Sequence, residues 1–176
     1  RQTKPGDWSN VLDRVRRALF DWLGTQPRAG GVKNWLGQAL AHHQAGRLAD
    51  TEMLYRRVLQ SEPNHADAMR FLGVLERQRG HLDSARVWLE KALAVQPGSA
   101  QTHHDLGLVW FDLGRIDPAI AAYRQALSIQ PHFADAHYNL GNACYAAKKP
   151  KEAEAAYRRA LEQQPDMANA HFNLGL

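Results

Sequence analysis

The chain has 176 residues, of which 44% are hydrophobic and 23% charged, which is enough apolar material to bury a core. No run of about twenty apolar residues marks a membrane span. The single cysteine, Cys144, excludes an internal disulfide framework and a four-cysteine zinc site, and we expect a buried, unreactive thiol. The net charge of +4 is concentrated in residues 1–31. The nearly balanced remainder lacks the basic stripe that nucleic acid binding requires, so no nucleic acid partner is expected.

Residues 1–31 differ from the rest of the chain. The stretch WSNVLDRVRRALFDWLG (8–24) places Trp8 and Trp22 on one face of a helix and Arg17 on the other. The sequence GTQPRAGG that follows predicts a linker. We expect this amphipathic helix to cap the apolar end of the following domain. The alternative is a helix that rests on a membrane surface, although membrane contact is not expected.

A period of 34 residues runs through the rest of the chain. The letters ADAHYNLG at 134–141 return as ANAHFNLG at 168–175, and weaker copies begin at residues 100 and 66. Each unit also repeats a small residue, a bulky residue and a final proline. These are Thr51, Ala85, Ala119 and Ala153; Tyr55, Leu89, Tyr123 and Tyr157; and Pro63, Pro97, Pro131 and Pro165. The period predicts a repeat architecture over residues 32–176, with units 32–65, 66–99, 100–133 and 134–167 and a partial fifth unit, 168–176.

Each unit contains two stretches with apolar residues at i, i+3, i+4 and i+7, which predicts a pair of amphipathic helices. Between the two stretches, Gly46, Gly80 and Gly114 suit the left-handed C-cap of the first helix. Lys148 takes that place in the fourth unit, so we expect a strained or altered turn there, followed by Pro150 in the first turn of the next helix. One helix pair cannot bury its apolar face alone. Stacked pairs therefore predict an all-α, right-handed superhelical solenoid of antiparallel helix pairs.

The recurring pattern of aromatic, Leu-Gly, aromatic, Ala, aromatic and Pro over this period resembles the tetratricopeptide repeat family. The resemblance covers four full units and the opening of a fifth. A similar family of repeats that reads RNA is a poor match, because these units keep the Leu-Gly and the final proline of the protein-binding family. The letters AHYNLGN at 136–142 are also similar to the repeats of O-linked N-acetylglucosamine transferase-type proteins.

The sequence carries no phosphate-binding glycine loop, no nucleophile elbow and no zinc-binding His-Glu-x-x-His motif. We therefore expect no catalysis, no cofactor and no metal.

His103, His137 and His171 share one position in successive units, where neighbouring helices lie about 8–10 Å apart. Because metal ligands must lie about 2 Å from one ion, we interpret these histidines as packing residues.

The resemblance implies that the first helix of each unit lines a concave groove. Aromatic residues and asparagines occur there, where a solvated helix usually carries Glu, Lys or Gln. We expect the following residues to contact a peptide: Arg70, Phe71, Arg77, His104, Asp105, Phe111, Tyr138, Asn139, Asn142, Tyr145, Phe172 and Asn173. Asn139 and Asn173 would hold backbone amides of an extended peptide, as the asparagine ladder of the transferase repeats does. The alternative is that both asparagines merely hydrogen-bond a neighbouring helix.

The sequence favours a non-catalytic module that binds a peptide or protein segment in this groove. The alternative is the recognition arm of a larger enzyme, such as a glycosyltransferase, sulfotransferase or hydroxylase, with a catalytic domain beyond Leu176. A self-associating scaffold is a third possibility. Because Leu176 falls inside the first helix of the fifth unit, we expect weak self-association through an apolar edge of Ala170, Leu174 and Leu176.

The chain starts at Arg1 without a methionine, so we expect a piece of a longer protein, with a cytoplasmic location favoured.

Overall fold

A computed structural model of the chain describes residues 31–175. These residues form nine α-helices, and no strand occurs among them. The helices are α1 (Gly31–Gln44), α2 (Leu48–Ser61), α3 (Ala66–Gln78), α4 (Leu82–Val95), α5 (Ala100–Asp112), α6 (Ile116–Ile129), α7 (Ala134–Ala146), α8 (Pro150–Gln163) and α9 (Ala168–Leu174). None of these helices is long and apolar enough to cross a membrane. The predicted helix at 8–24 lies outside the described residues.

The contacts between helices follow the repeat. Helix α1 packs most extensively on α2, α3 on α4, α5 on α6 and α7 on α8. Each second helix also contacts the first helix of the next unit. In addition, α3 touches α5 and α5 touches α7, so the first helices of successive units lie side by side. This arrangement confirms the predicted all-α repeat solenoid.

In the second, third and fourth units, the two helices meet at a glycine of the first helix. A Cβ atom added to Gly107 would lie 2.5 Å from the ring of Tyr123, and one added to Gly141 would lie 2.5 Å from the ring of Tyr157. In the second unit, a Cβ atom added to Gly73 would lie 2.6 Å from the side chain of Leu89. Real Cβ atoms do not approach other atoms so closely, so in these three units only glycine leaves room for the bulky residue where it now lies. The repeated glycine and the repeated bulky residue are therefore two halves of one contact.

Small and buried residues complete the interior. Ala85 and Ala119 are fully buried, and Ala153 is nearly so, as expected of positions where two helices approach closely. Cys144 is also buried, in the core cluster of α6, α7 and α8. Burial raises the pKa of the Cys144 thiol, and the nearby Glu152 carboxylate raises it further. The thiol is therefore protonated at neutral pH, which agrees with the prediction of an unreactive cysteine.

The turn after α7 differs from the equivalent turns of the other units. Gly46, Gly80 and Gly114 adopt φ angles of 72°, 79° and 70°, the left-handed conformation that the sequence predicts. Lys148 adopts φ 58° at the equivalent place, and it has the only positive φ of a non-glycine residue among those described. The left-handed conformation costs a residue with a Cβ atom about 1–2 kcal/mol, so this turn is strained, as expected. Pro150 then opens α8.

The contact between Gly107 and Tyr123 makes a testable prediction. The substitution Gly107→Ala should lower the free energy of unfolding by about 1–3 kcal/mol, because the added methyl group overlaps the tyrosine ring. The matched control is Gly37→Ala in α1, where an added Cβ meets nothing within 4 Å. That variant should be more stable than the wild type by about 0.5–1 kcal/mol, because glycine is entropically costly inside a helix. Urea denaturation measures both. Equal stabilities of the two variants would contradict the close contact.

Candidate functional site

Polar side chains on neighbouring first helices pair across the unit boundaries. In one set of these pairs the two partners are thirty-five residues apart, because each position of one unit faces the next position of the following unit. Four such pairs join side chains of the described residues: His43–Gln78 at 2.9 Å, Arg70–Asp105 at 2.9 Å, Arg77–Asp112 at 2.6 Å and His104–Asn139 at 2.9 Å. We call these four pairs the polar ladder. It links the first four units along the wall of the predicted groove.

The Arg70–Asp105 pair of the polar ladder is largely shielded from solvent. The side chains of Arg70 and Asp105 are only 16% and 9% exposed. Gln101 donates a second hydrogen bond to Asp105, and the Arg70 guanidinium lies 4.2 Å from the centre of the Phe71 ring. Phe71 in turn stacks on Tyr55. These charged groups are satisfied by one another, so a ligand would have to break existing contacts to use them.

His104 extends the same network towards the C terminus. Its ring is buried against the rings of Tyr123 and Phe133. The Asn139 amide donates to His104 Nε2, which places the imidazole proton on Nδ1, 3.6 Å from Asp105 Oδ1. Asn139 therefore hydrogen-bonds a neighbouring helix. This is the alternative role that the sequence left open for this residue.

The polar ladder ends where an open cleft begins. The next residues at the same spacing are Phe111 and Ala146, which are apolar and line the cleft instead of forming a polar pair. The cleft has a volume of about 590 Å³. It is lined by Phe111, Asn142, Tyr145, Ala146, Tyr157, Phe172 and Asn173. The structure thus brings five of the twelve predicted contact residues together: Phe111, Asn142, Tyr145, Phe172 and Asn173.

Two aromatic side chains of this cleft are unusually exposed. Tyr145 is 72% exposed and Phe172 is 83% exposed, more than any other large hydrophobic residue of the described part of the chain. Among residues 31–175, no charged side chain lines the cleft. By contrast, Tyr138 is half-buried, packs against Tyr157 and does not line the cleft.

The polar groups of the cleft are partly paired. Asn142 Oδ1 accepts hydrogen bonds from the Tyr157 hydroxyl at 2.9 Å and from the Asn173 amide at 3.1 Å. Burial raises the pKa of Tyr157, so its hydroxyl remains a donor at neutral pH. Within residues 31–175, this leaves the Nδ2 donor of Asn142 and the Oδ1 acceptor of Asn173 without a partner. One free donor and one free acceptor match the two polar groups of a peptide bond.

Sequence reasoning missed two contributors to the cleft, Tyr157 and Ala146. Tyr157 belongs to the core by its repeat position, yet its hydroxyl reaches the cleft.

The expected self-association edge is largely covered. Ala170 is fully buried, and Leu174 packs against the core cluster of α6, α7 and α8, while Leu176 lies outside the described residues.

The three repeat-position histidines have a more specific role than packing. Each Nε2–H donates to the carbonyl of the proline six residues earlier. The pairs are His103–Pro97 at 3.0 Å, His137–Pro131 at 3.0 Å and His171–Pro165 at 2.7 Å. The six-residue interval between proline and histidine, repeated three times, is the sequence signal for this bond. Among residues 31–175, no cluster of His, Cys, Asp or Glu could hold a metal ion.

The helices form a helical repeat protein, and an open cleft is lined mainly by its first helices. Sequence models described as Tetratricopeptide repeat match residues 42–106, 104–168 and 149–176. The chain therefore belongs to the tetratricopeptide repeat family, whose fold is typically a non-catalytic protein-interaction module. Comparison with curated protein sequences finds no significant match.

Several solved structures share this fold. MamA is 24% identical, with a TM-score of 0.71 over 96% of this chain and 99% of that chain. A mutant O-GlcNAc transferase of Thermobaculum terrenum is 28% identical, with a TM-score of 0.73 over 79% of this chain but only 27% of that chain. The first repeat domain of Spaghetti (RPAP3), bound to an HSP90 peptide, is 23% identical, with a TM-score of 0.62 over 62% of this chain and 87% of that chain.

The buried His137 predicts a pH dependence of stability. Burial lowers the pKa of His137 below its ordinary value. The unfolded chain therefore binds a proton more readily than the folded protein does, and stability should fall as the pH falls below about 6.5. The variant His137→Gln should lose less stability between pH 7.5 and pH 5.5 than the wild type, as measured by urea denaturation. The variant His103→Gln controls for loss of an equivalent bond to a proline carbonyl. Identical losses in the wild type and His137→Gln would refute a neutral, buried His137.

Proposed function

We propose that the solenoid binds an extended peptide segment of another protein, and that the cleft between α5, α7, α8 and α9 is the anchor point. The observation that carries this proposal is the combination of Tyr145 and Phe172, both largely exposed, with an unpaired amide donor and acceptor in one cleft. The RPAP3 domain, which shares the fold, is described with a bound HSP90 peptide, so a bound peptide is compatible with this architecture.

In this proposal the amide groups of the cleft hydrogen-bond the backbone of the ligand. A peptide bond presents one N–H donor and one C=O acceptor, and Asn142 Nδ2 and Asn173 Oδ1 complement them. Both groups belong to residues that are already held in place, because Asn142 Oδ1 is fixed by Tyr157 and Asn173. Recognition of the backbone in this way tolerates many ligand sequences.

The aromatic rings supply most of the binding energy. Tyrosine and phenylalanine offer a large, flat contact area and lose little conformational freedom on binding. Covering one such exposed ring with an apolar ligand side chain contributes about 1.5–3 kcal/mol. Neighbouring units lie about 10 Å apart and an extended chain rises about 3.3 Å per residue, so each unit would meet about three ligand residues.

Five of the remaining predicted contact residues belong to the polar ladder and have a smaller role in binding. Arg70, Arg77, His104, Asp105 and Asn139 are engaged with one another or with neighbouring helices. Their contribution to a ligand is therefore the shape of the groove rather than free charge. We place the anchor at the C-terminal half of the groove for this reason.

A second proposal is that the solenoid is the recognition arm of a larger enzyme. It is favoured by the 28% identity to the O-GlcNAc transferase, of which this chain spans 27%. The two proposals share the groove and differ in what is joined to it. Sequencing the complete gene tests the second proposal, since a catalytic domain in the same reading frame is required and a reading frame without one would refute it.

The peptide-binding proposal is tested with peptides selected from a displayed random library on the wild-type chain. Affinities of the selected peptides are then measured by fluorescence polarisation for Tyr145→Ser and Phe172→Ser. Each variant should bind about tenfold to a hundredfold more weakly, which corresponds to the loss of one covered ring. The melting temperature should stay unchanged, because both rings are exposed.

Two pairs of variants separate binding from folding. Val87→Ser and Ile129→Ser remove exposed apolar side chains away from the cleft and should leave the affinity unchanged. Asn173→Ala should weaken binding with little effect on stability, whereas Asn139→Ala should lower stability through the loss of its bond to His104. Full binding by the Tyr145 and Phe172 variants would exclude the cleft as the anchor point.

A further inference from the structure

The distribution of lysine along the chain is uneven. The sequence contains six lysines, and three of them, Lys148, Lys149 and Lys151, fall within the four letters KKPK at 148–151. These residues form the turn between α7 and α8 and the first turn of α8. All three are exposed. We call them the lysine edge.

The lysine edge adjoins the cleft. A second depression, of about 550 Å³, is lined by Tyr145, Ala146, Lys148 and Pro150. Tyr145 and Ala146 line the cleft as well, so the two spaces adjoin at these residues. A ligand that leaves the cleft past Tyr145 therefore meets Lys148 next.

The positive charge of the lysine edge is not neutralised by nearby carboxylates. Glu152 pairs with Arg124 at 2.7 Å, and Glu154 pairs with Arg158 at 2.5 Å. In the described part of the chain, no carboxylate lies within 4 Å of any of the three ammonium groups.

The cleft and its surroundings thus combine an uncharged aromatic site with an adjacent cationic rim. We propose that the peptide segment bound by this protein carries aspartate or glutamate next to the apolar side chain that enters the cleft, and that these carboxylates contact the lysine edge. This inference rests on the proposed function, since it names the chemistry of the ligand for the same cleft. The apolar residue provides affinity, and the acidic residues select which apolar segments bind.

The test uses the library-selected peptides and a charge-removal variant of the whole chain. Lys148→Asn, Lys149→Gln and Lys151→Gln are combined in one protein, with asparagine at 148 because it tolerates the left-handed backbone. Lys33→Gln with Lys91→Gln removes charge elsewhere and is the control. Circular dichroism verifies that both variants are folded.

The expected results are as follows. Selected peptides are enriched in Asp or Glu beside an apolar residue. The lysine-edge variant binds them about threefold to tenfold more weakly at low salt, the difference shrinks at high salt, and the control binds like the wild type. Replacing the acidic peptide residues by their amides weakens binding to the wild type but not to the lysine-edge variant, which identifies a direct coupling between the two.

Other outcomes separate this inference from the proposed function. Peptides that depend on Tyr145 and Phe172 but show no acidic enrichment, or that bind the lysine-edge variant as tightly as the wild type, overturn the inference and leave the cleft as a binding site. Peptides that bind the Tyr145→Ser and Phe172→Ser variants fully, or the failure to select any peptide, overturn the proposed function and the inference together.

Discussion

In the second, third and fourth units, the contact between a glycine on the first helix and a bulky residue on the second determines how closely the two helices pack. At Gly141 this contact also builds the candidate site. The ring of Tyr157 occupies the space that a Cβ atom at Gly141 would fill, and its hydroxyl consequently reaches Asn142 at 2.9 Å. Asn142 then orients Asn173 of the next unit. The free amide groups of the cleft are thus positioned by the same packing that holds the helices together.

The wall formed by the first helices is divided into two parts with different physical properties. In the first four units, polar partners thirty-five residues apart satisfy one another and leave little free charge. Phe111 of the third unit and Ala146 of the fourth unit replace such a pair, and the rings of Tyr145 and Phe172, nearer the C terminus, remain exposed to solvent. Exposed apolar surface of this kind is costly to maintain without a partner. The division explains why we place recognition in one half of the groove.

Much of the fold follows from local sequence signals. The repeat period, the recurring glycines and the prolines predict the helix pairs, and the left-handed turn at Lys148 follows from its place in the series. These features are local to one unit. The candidate site is different, because it depends on which positions of adjacent units face each other. The sequence predicts Arg70, Asp105 and Asn142 equally as groove residues. It does not show that Arg70 pairs with Asp105, whereas Asn142 keeps a free amide donor.

The most direct measurement of the central claim is NMR of the chain bound to a library-selected peptide, with assigned side-chain amide and aromatic signals. We expect contacts from the peptide to the rings of Tyr145 and Phe172, together with large shifts of the Asn142 and Asn173 amide signals. Signals of the polar ladder should change little. Peptide contacts confined to the second helices, or to the Arg70–Asp105 pair with no change at Tyr145, would contradict it.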